Sequence, residues 1–161
     1  MKKLRIYLDT SVINFLFADD APEFRCITRE FFEHYAPRYE LFVSDVVLIE
    51  IAHDPDKKHR AMLMDALHAL PVTMLQATSM AEVRGLAAHL MRRGVIPPGK
   101  EADALHVACA TVHRMDVLLS WNFKHLANVN KEARIAALNA ELGYTTSMRL
   151  LSPLEVEYEE E

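Results

Sequence analysis

Four short runs of apolar, strand-forming residues alternate along the chain with segments of helical periodicity, and this alternation constrains the fold more than any other feature. The runs cover residues 4–8, 41–44, 72–75 and 117–120. Strands that are separated by helices pair in parallel, because a parallel connection needs a crossover of a dozen or more residues. The pattern therefore predicts one α/β domain built on a parallel sheet.

Helical segments fill the intervals between these strands and follow the last one. Apolar residues recur in them at helical spacing, and the punctuation is typical of helix ends: Asp54-Pro55 breaks one segment and Gly94 closes another. Helix content should therefore well exceed strand content. The predicted helices cover residues 11–17, 22–35, 45–53, 56–70, 80–93, 100–113 and 131–142.

The chain has the length and the apolar content of one domain. Its 161 residues are 51% hydrophobic, which is enough for a substantial core. We predict a single domain over residues 1–154, followed by an acidic tail at 155–161 that holds five Glu and neither Lys nor Arg. The tail accounts for the whole net charge of −5. A chain without a basic excess is not typical of general nucleic-acid-binding proteins.

Local basic clusters remain within the neutral part of the chain, at residues 57–60, 92–93 and 124–125. Each has two interpretations. A basic cluster on a helix is commonly a solvated face. If the protein binds RNA, these clusters are where the phosphates would lie, and an acidic site would need metal cations to accept such a substrate.

The sequence shows no membrane segment or secretory signal. No apolar stretch approaches the roughly 18 residues that span a bilayer, and Asp9 interrupts the first apolar run too early for a signal peptide. We therefore predict a cytoplasmic protein. Cys26 and Cys109 lie among apolar neighbours on predicted helices, where we expect reduced, buried thiols rather than a disulfide or a metal site.

Three carboxylates stand where predicted elements begin or turn: Asp9, Glu50 and Asp103. Asp9 ends the first strand, at the sheet edge where ligands bind in open α/β folds. Glu50 lies on an apolar helix, where a carboxylate is costly to bury unless it is paired or binds metal. A hard divalent cation such as Mg²⁺ takes oxygen ligands from only a few carboxylates and keeps several waters. The three residues are therefore candidate metal ligands.

Each candidate also has a structural interpretation that the sequence leaves open. Glu50 could face solvent, and Asp103 could simply favour the positive end of its helix. Asn122 follows the last predicted strand and could be either a neutral ligand or a turn residue. His106 shares a helix face with Asp103, so it could orient that carboxylate, contact a phosphate or be a hydrogen-bonded core residue.

Several other kinds of site are excluded by their missing motifs. The chain has no H-E-x-x-H and no C-x-x-C, so a structural zinc site is not expected. It also lacks G-x-S-x-G, a Walker A loop and G-x-G-x-x-G. With only four glycines, phosphate cradles made of glycine loops are largely excluded.

Four motifs, taken in order, resemble the PIN-domain family, which includes the toxin nucleases of VapBC-type toxin–antitoxin pairs. The resemblance covers nearly the whole chain and implies a three-layer α/β/α fold with a central parallel sheet of about four to five strands. It implies that Asp9, Glu50 and Asp103 match the acidic metal-binding positions of the family. Asn122 stands where a fourth Asp is usual, so the number of metal ions is left open. The motifs are LDTSV, SDVVLIEI, EADALHVACA and DVLLSWN.

The function implied by this resemblance is Mg²⁺- or Mn²⁺-dependent hydrolysis of RNA phosphodiester bonds by the toxin of a type II pair. Asp9, Glu50 and Asp103 would hold the metal, and Asn122 would position a water or a phosphate oxygen. Which carboxylate acts as general base is open. Trp121 is either a stacking platform for a base or a core residue.

The partners implied are an RNA substrate, an antitoxin protein and a second copy of the chain. Apolar residues 15–17 could contact an antitoxin or form a homodimer, or they could belong to the core. Two other functions stay open. One is a catalytically degenerate PIN-like module that binds RNA or protein, which the substitution at Asn122 favours. The other is a phosphatase acting through Asp9, which would need D-x-D, whereas position 11 is Ser.

Overall fold

Five parallel strands form the central sheet of this computed structural model, which describes residues 2–145 and 147–158. The strand order is β3-β2-β1-β4-β5, and every neighbouring pair is parallel. The predicted parallel sheet is confirmed, and four strands lie where the sequence predicted them. The strands are β1 (Arg5–Leu8), β2 (Glu40–Ser44), β3 (Val72–Leu75), β4 (Val117–Leu119) and β5 (Arg149–Leu151).

Eight α-helices of the described residues flank the sheet, and seven of them match predicted segments to within a few residues. The first two predicted segments change geometry before they end: one finishes as a 3-10 turn at Phe15–Phe17 and the other as a π-helical turn at Phe31–Tyr35. The helices are α1 (Thr10–Asn14), α2 (Pro22–Glu30), α3 (Asp45–Ala52), α4 (Lys57–Ala69), α5 (Ala81–Arg92), α6 (Glu101–Val112), α7 (Val129–Glu141) and α8 (Pro153–Tyr158).

Side chains alternate across the sheet and define the three layers. On β1, Ile6 and Leu8 face one layer and Tyr7 faces the other, because successive residues of a strand point to opposite faces. Helices α1 to α4 and α8 pack on the first face, and α5 to α7 pack on the second. The predicted α/β/α arrangement is confirmed.

The sequence analysis missed β5 and α8. Only three residues of β5 pair with β4, too few to give a periodic signal. The start of α8 did carry a signal, since Ser152 is followed three residues later by Glu155, whose Oε2 accepts a hydrogen bond from the Ser152 backbone N–H (2.6 Å). Helix α8 crosses residue 154, where the domain was predicted to end, and residues 159–161 of the predicted tail lie outside the described residues.

Both cysteines are free thiols, as predicted, but they differ in burial. Cys109 is buried in α6, and burial raises the pKa of its thiol to about 12. The prediction that Cys26 is buried was wrong, because α2 turns this residue to solvent. Within the described part of the chain, no helix is both long and apolar enough to cross a membrane.

The direction of the crossovers places the carboxyl end of β1 at a special position. Strand β1 pairs with β2 on one side and with β4 on the other, so the chain winds outward from β1 in both directions. Open parallel sheets form their ligand crevice where the winding direction changes. We therefore expect a site at the carboxyl ends of β1 and β4.

Candidate active site

A cavity of about 140 Å³ opens at this point of the sheet. All four residues that the sequence singled out for metal binding and catalysis line it, although their numbers span more than a hundred positions. The junction of β1 and α1 and the helices α3 and α6 supply the three carboxylates, and the turn after β4 supplies the amide. The lining residues are Asp9, Thr10, Ser11, Asn14, Glu50, Asp103, His106 and Asn122.

Asp9 is held from both sides by hydroxyl groups. It is the N-cap of α1, and its Oδ1 accepts from the backbone N–H (3.1 Å) and the Oγ (2.5 Å) of Ser11. Its Oδ2 accepts from Ser120 Oγ (2.5 Å), which lies at the end of β4. The two serines are fixed in turn by backbone N–H groups, since Trp121 donates to Ser11 Oγ (2.9 Å) and Asn122 to Ser120 Oγ (2.9 Å).

These hydrogen bonds do not fully compensate the burial of Asp9, which is only 3% exposed. Burial raises the pKa of Asp9 above its ordinary value, and the neighbouring charge of Asp103 adds to this. The imidazole of His106 and the hydroxyls of Ser11 and Ser120 act in the opposite direction, but the net shift is upward. The Asp9 carboxylate therefore occupies a site where negative charge is disfavoured.

Glu50 reaches the cavity from the middle of α3. Its Oε1 accepts hydrogen bonds from Thr10 Oγ1 (2.5 Å) and His106 Nε2 (2.7 Å). Burial acts to raise the pKa of Glu50, but the hydrogen bond and the proximity of His106, together with the hydrogen bond from Thr10, outweigh it and leave the pKa lowered. Glu50 is partly buried rather than fully exposed, and its charged partner is His106.

Asp103 is held more loosely than the other two carboxylates. Its Oδ2 accepts from Asn122 Nδ2 at 3.3 Å, while Asn122 Oδ1 accepts from the His125 backbone N–H (3.0 Å). Burial raises the pKa of Asp103, and the charge of Glu50 contributes in the same direction. His106, His125 and Lys100 lower it only in part.

The donor set fits a hard divalent cation better than it fits zinc. Among the described residues, no group of three or more His, Cys, Asp or Glu side chains is close enough together to hold a metal ion by itself. The described hydrogen bonds nevertheless leave Glu50 Oε2 and Asp103 Oδ1 unengaged. The charge of Asp103 raises the pKa of Asp9, and the charge of Glu50 raises that of Asp103. Neighbouring carboxylates, a neutral amide and room for several waters suit Mg²⁺ or Mn²⁺, which are commonly held partly through water.

Trp121 is a core residue, so the structure supports the second of its two interpretations. The ring is 5% exposed, stacks on Phe24 at 4.5 Å between centroids, and donates from Nε1 to Thr28 Oγ1 (2.9 Å). Its neighbour Phe123 is 44% exposed and meets Trp121 edge to face at 5.9 Å. The aromatic ring available to solvent next to Asn122 is therefore Phe123.

Residues 15–17 also belong mainly to the core. Leu16 is buried, and Phe15 and Phe17 pack partly buried against the face of the sheet that carries Ile6. Phe15 further contacts the Trp121 ring at 5.6 Å between centroids. These side chains are therefore largely used inside the fold.

The sequence analysis overlooked the hydroxyl groups of the site. Ser11 had a recognisable signal, because a Ser two residues after an Asp that ends a strand can return a hydrogen bond to it. Ser120 required knowledge of the strand order, since it meets Asp9 across 111 positions of sequence. Thr10 and Tyr7 were taken as parts of a helix start and a strand, and nothing in their local sequence indicates a contact with the site.

Comparisons with known proteins agree with the fold described above. A family model described as PIN domain matches residues 6–132. No curated protein matches the chain. A chain in the crystal structure of VapBC2 from Rickettsia felis bound to a DNA fragment from their promoter is similar to it at 13% identity, with a TM-score of 0.57 and coverage of 92% of this chain and 98% of that one.

A chain in the crystal structure of VapBC-5 from Mycobacterium tuberculosis, a member of the VapBC family of toxin–antitoxin systems, is also similar. Its identity is 15% and its TM-score 0.46, with coverage of 92% of this chain and 98% of that one. At 13% identity, the likeness to the Rickettsia felis structure supports the fold and says nothing about chemistry. The family match rests on the sequence itself. It covers all of strands β2, β3 and β4 and most of strand β1.

Proposed function

Because the chain belongs to the PIN domain family, we propose that it is a metal-dependent endoribonuclease that hydrolyses RNA phosphodiester bonds as the toxin of a type II toxin–antitoxin pair. One observation carries the proposal: Asp9, Glu50, Asp103 and Asn122 line a single cavity at the change of winding direction of the sheet. The cavity brings together carboxylate and amide oxygens, which are the donors that Mg²⁺ or Mn²⁺ takes.

We assign the metal-binding role to Asp9, Glu50 and Asp103. A bound Mg²⁺ or Mn²⁺ would offset charge on the scissile phosphate and lower the pKa of a water. The protein has to bring acidic groups together at a cost, and the raised pKa values of Asp9 and Asp103 are a sign of that cost. Asn122 is neutral where a fourth carboxylate would add charge, and this disfavours tight binding of a second ion.

The remaining chemical roles follow from which atoms are free. Both oxygens of Asp9 accept hydrogen bonds, and Glu50 Oε1 accepts two. Glu50 Oε2 and Asp103 Oδ1 are both unengaged among the described residues. We assign Glu50 Oε2 to the metal ion. We assign Asp103 to holding the ion through a water, and Asp103 Oδ1 to accepting the proton of that attacking water. Asn122 Nδ2 lies beside Asp103 and would orient that water or a phosphate oxygen.

Recognition of RNA would use the segment that follows Asn122. Two of the three basic clusters have members that are engaged locally, because His59 pairs with Asp54, and Arg93 with Glu141 (2.8 Å). Lys124 is exposed and follows Phe123, so a cation and a solvent-exposed ring stand directly after Asn122. Unstacked bases of single-stranded RNA stack on such rings while cations contact the backbone.

The proposed partner that neutralises the toxin is an antitoxin protein. The support for it is the fold likeness to a chain of a VapBC structure together with the family match. A second copy of the chain is the other expected partner. Since residues 15–17 are largely occupied in the core, either partner would use other surfaces.

The test is cleavage of a mixed RNA pool by purified protein in Mn²⁺ or Mg²⁺. Asp103→Asn removes the charge and keeps the shape of the side chain, and Asp65→Asn makes the same change on an exposed position of α4, outside the cavity. We expect discrete fragments from the wild type and from Asp65→Asn. We expect none from Asp103→Asn or in EDTA.

The outcome also separates the alternative functions. RNA binding without turnover, at equal stability of both variants, would support the degenerate binding module that Asn122 favours. Release of phosphate from small esters would support a phosphatase, although Ser11 donates to Asp9 where that chemistry would need a second Asp. Cleavage that survives both EDTA and Asp103→Asn would overturn the proposal.

A further inference from the structure

His106 is buried (1% exposed), yet it bonds through both ring nitrogens. Its Nε2 lies 2.7 Å from Glu50 Oε1 and 3.3 Å from Thr10 Oγ1, and its Nδ1 lies 2.6 Å from the hydroxyl of Tyr7. Tyr7 is on β1, His106 on α6 and Glu50 on α3. One imidazole therefore joins three elements at the inner end of the cavity.

The polar chain continues beyond Tyr7 and ends on a fixed donor. The Tyr7 hydroxyl lies 2.7 Å from Ser44 Oγ, and Ser44 is the N-cap of α3, where its Oγ accepts from the Val46 backbone N–H (3.2 Å). A backbone N–H can only donate, and an ionised carboxylate can only accept. A series of hydrogen bonds therefore runs from the Val46 backbone N–H through Ser44, Tyr7 and His106 to Glu50. Each side chain in this series has a partner on both sides.

The chain acts on one oxygen of Glu50 and leaves the other open. Thr10 and His106 both bind Oε1, and among the described residues Oε2 has no hydrogen-bond partner. A glutamate side chain has three rotatable bonds and loses considerable freedom when it is fixed. Two donors that converge on one oxygen select one rotamer and present the second oxygen in one direction.

From this geometry we propose that His106 is a positioning residue, held in place by Tyr7, that fixes Glu50 with Oε2 available to a divalent cation. The inference rests on the proposed function, because it gives Glu50 the role of a metal ligand. Acidic ligands of metals are commonly oriented by hydrogen bonds from neighbouring residues, and loss of such a partner costs about 10-fold to 100-fold in metal affinity or activity.

A purely structural role for His106 would not require a hydrogen-bond donor that faces Glu50. An apolar ring or side chain of similar size would fill the same volume between α6 and β1. A role as general base is not favoured either, because both ring nitrogens are already engaged within the protein. The position of one donor is therefore the property to test.

Two substitutions separate the two ring nitrogens. His106→Gln places an amide nitrogen near the position of Nε2, where it can still donate to Glu50, and His106→Asn places one near Nδ1, towards Tyr7. The measurement is the Kd for Mn²⁺ alone, by calorimetry, with no RNA present. We expect the Kd of His106→Asn to rise about 10-fold to 100-fold, and that of His106→Gln to stay close to the wild type.

Two further variants control for stability. Thr111→Val removes a buried hydroxyl from the same helix, where it donates to Val107 O (2.8 Å), away from the cavity. We expect it to lower the melting temperature and leave the Kd unchanged. Tyr7→Phe keeps the ring and removes only the hydroxyl that holds His106, so we expect a smaller rise in Kd than for His106→Asn.

The outcomes test the positioning role of His106 separately from the proposed metal-dependent function. If His106→Asn and His106→Gln share one Kd, or if Thr111→Val raises the Kd as well, the inference is overturned and the proposed function stands. If His106→Asn does not fold, Tyr7→Phe decides, and an unchanged Kd there overturns the inference. If the wild type binds no Mn²⁺, the metal-dependent function fails and takes this inference with it.

Discussion

The cavity has two walls that hold their carboxylates very differently. The first wall, Asp9 and Glu50, is built into the scaffold: five hydrogen bonds from hydroxyl, imidazole and backbone groups converge on it. The second wall, Asp103 and Asn122, has one hydrogen bond between its members, at 3.3 Å. Carboxylates of the same charge can therefore contribute very differently to the structure around them. The first wall sets the geometry, and the second can adjust to what binds.

The two walls share one electrostatic cost. Burial raises the pKa of Asp9 on the first wall and of Asp103 on the second. Glu50 is the exception, because His106 and Thr10 more than compensate its burial. Removing charge should therefore have similar chemical consequences on both walls, whereas removing an acceptor should matter structurally on the first wall only.

The largest expected effect is the loss of cleavage on replacing either aspartate. We expect Asp9→Asn and Asp103→Asn each to reduce the rate roughly a hundredfold or more, because each variant loses a negative charge that would hold the cation, and the cation is what stabilises the charge on the phosphate. The stabilities of the Ala variants should then differ between the two walls. Asp9→Ala should be less stable than Asp9→Asn by about 1 to 2 kcal/mol, because the N-cap acceptor and the partner of Ser120 disappear.

At position 103 the Ala and Asn variants should have almost the same stability. Asp103→Ala and Asp103→Asn should differ by no more than about 0.5 kcal/mol, as is usual for a site without a structural bond. Urea denaturation of the four variants in EDTA measures both differences. Equal penalties for alanine on the two walls would show that the distinction between them has no energetic content.

The pH dependence of stability should carry the signature of the second wall. A carboxylate whose folded pKa is raised stabilises the fold below its unfolded pKa, and this contribution is lost as pH rises through the folded pKa. Metal-free wild type should therefore lose stability relative to Asp103→Asn as the pH rises from the ordinary Asp pKa of about 3.9 through the raised pKa of folded Asp103.

Denaturation of the two proteins in EDTA at several pH values gives this difference directly. Addition of Mn²⁺ at neutral pH should stabilise the wild type and leave Asp103→Asn nearly unaffected, because a cation offsets the charge that burial disfavours. Parallel stability curves for the two proteins across the whole range would show that Asp103 titrates normally, and the electrostatic account of this wall would then be wrong.

A more moderate effect is expected from making the second wall more acidic. Asn122→Asp adds a fourth carboxylate and replaces the Nδ2 donor to Asp103 by an acceptor. Affinity for Mn²⁺ should rise severalfold, while metal-free stability falls because two carboxylates then face each other. Asn128→Asp makes the same change at the N-cap of α7, outside the cavity. It keeps the acceptor for the Lys131 backbone N–H and, as at position 122, gives up the Nδ2 donor, which here bonds Phe123 O and Lys124 O.

Calorimetry with Mn²⁺ compares these two variants with the wild type. We expect the affinity of Asn128→Asp to equal that of the wild type. If Asn122→Asp binds Mn²⁺ no better than Asn128→Asp does, Asn122 stands apart from the ion, and its neutral amide does not decide how many metal ions bind.

The sequence identified the candidate residues of both walls, and Asp9 on the first wall had the strongest local signal. Asp103 lies in the first turn of a helix and Asn122 follows a strand, so local punctuation identified both. Asp9 and Glu50 were also identified, but the groups that fix them were not. Ser120 meets Asp9 only because β4 lies beside β1, and Tyr7 meets His106 only because α6 packs on that face. Element type follows local pattern, whereas hydrogen-bond partners follow strand order, which the pattern does not contain.

The smallest expected effect lies just beyond the second wall, at Phe123. Its ring is 44% exposed and is held edge to face by Trp121 and Phe24, so it can meet a base without reordering the core.

In the Asp103→Asn background, where cleavage is absent, Phe123→Leu should weaken binding of single-stranded RNA by about 1 kcal/mol, the low end of base-stacking energies. Phe123→Tyr keeps a π face and should bind as the parent does. Fluorescence anisotropy of a labelled RNA measures all three proteins. If leucine and tyrosine bind equally well, contact with RNA at the second wall is made through Lys124 and the backbone, and the ring serves only to cover Trp121.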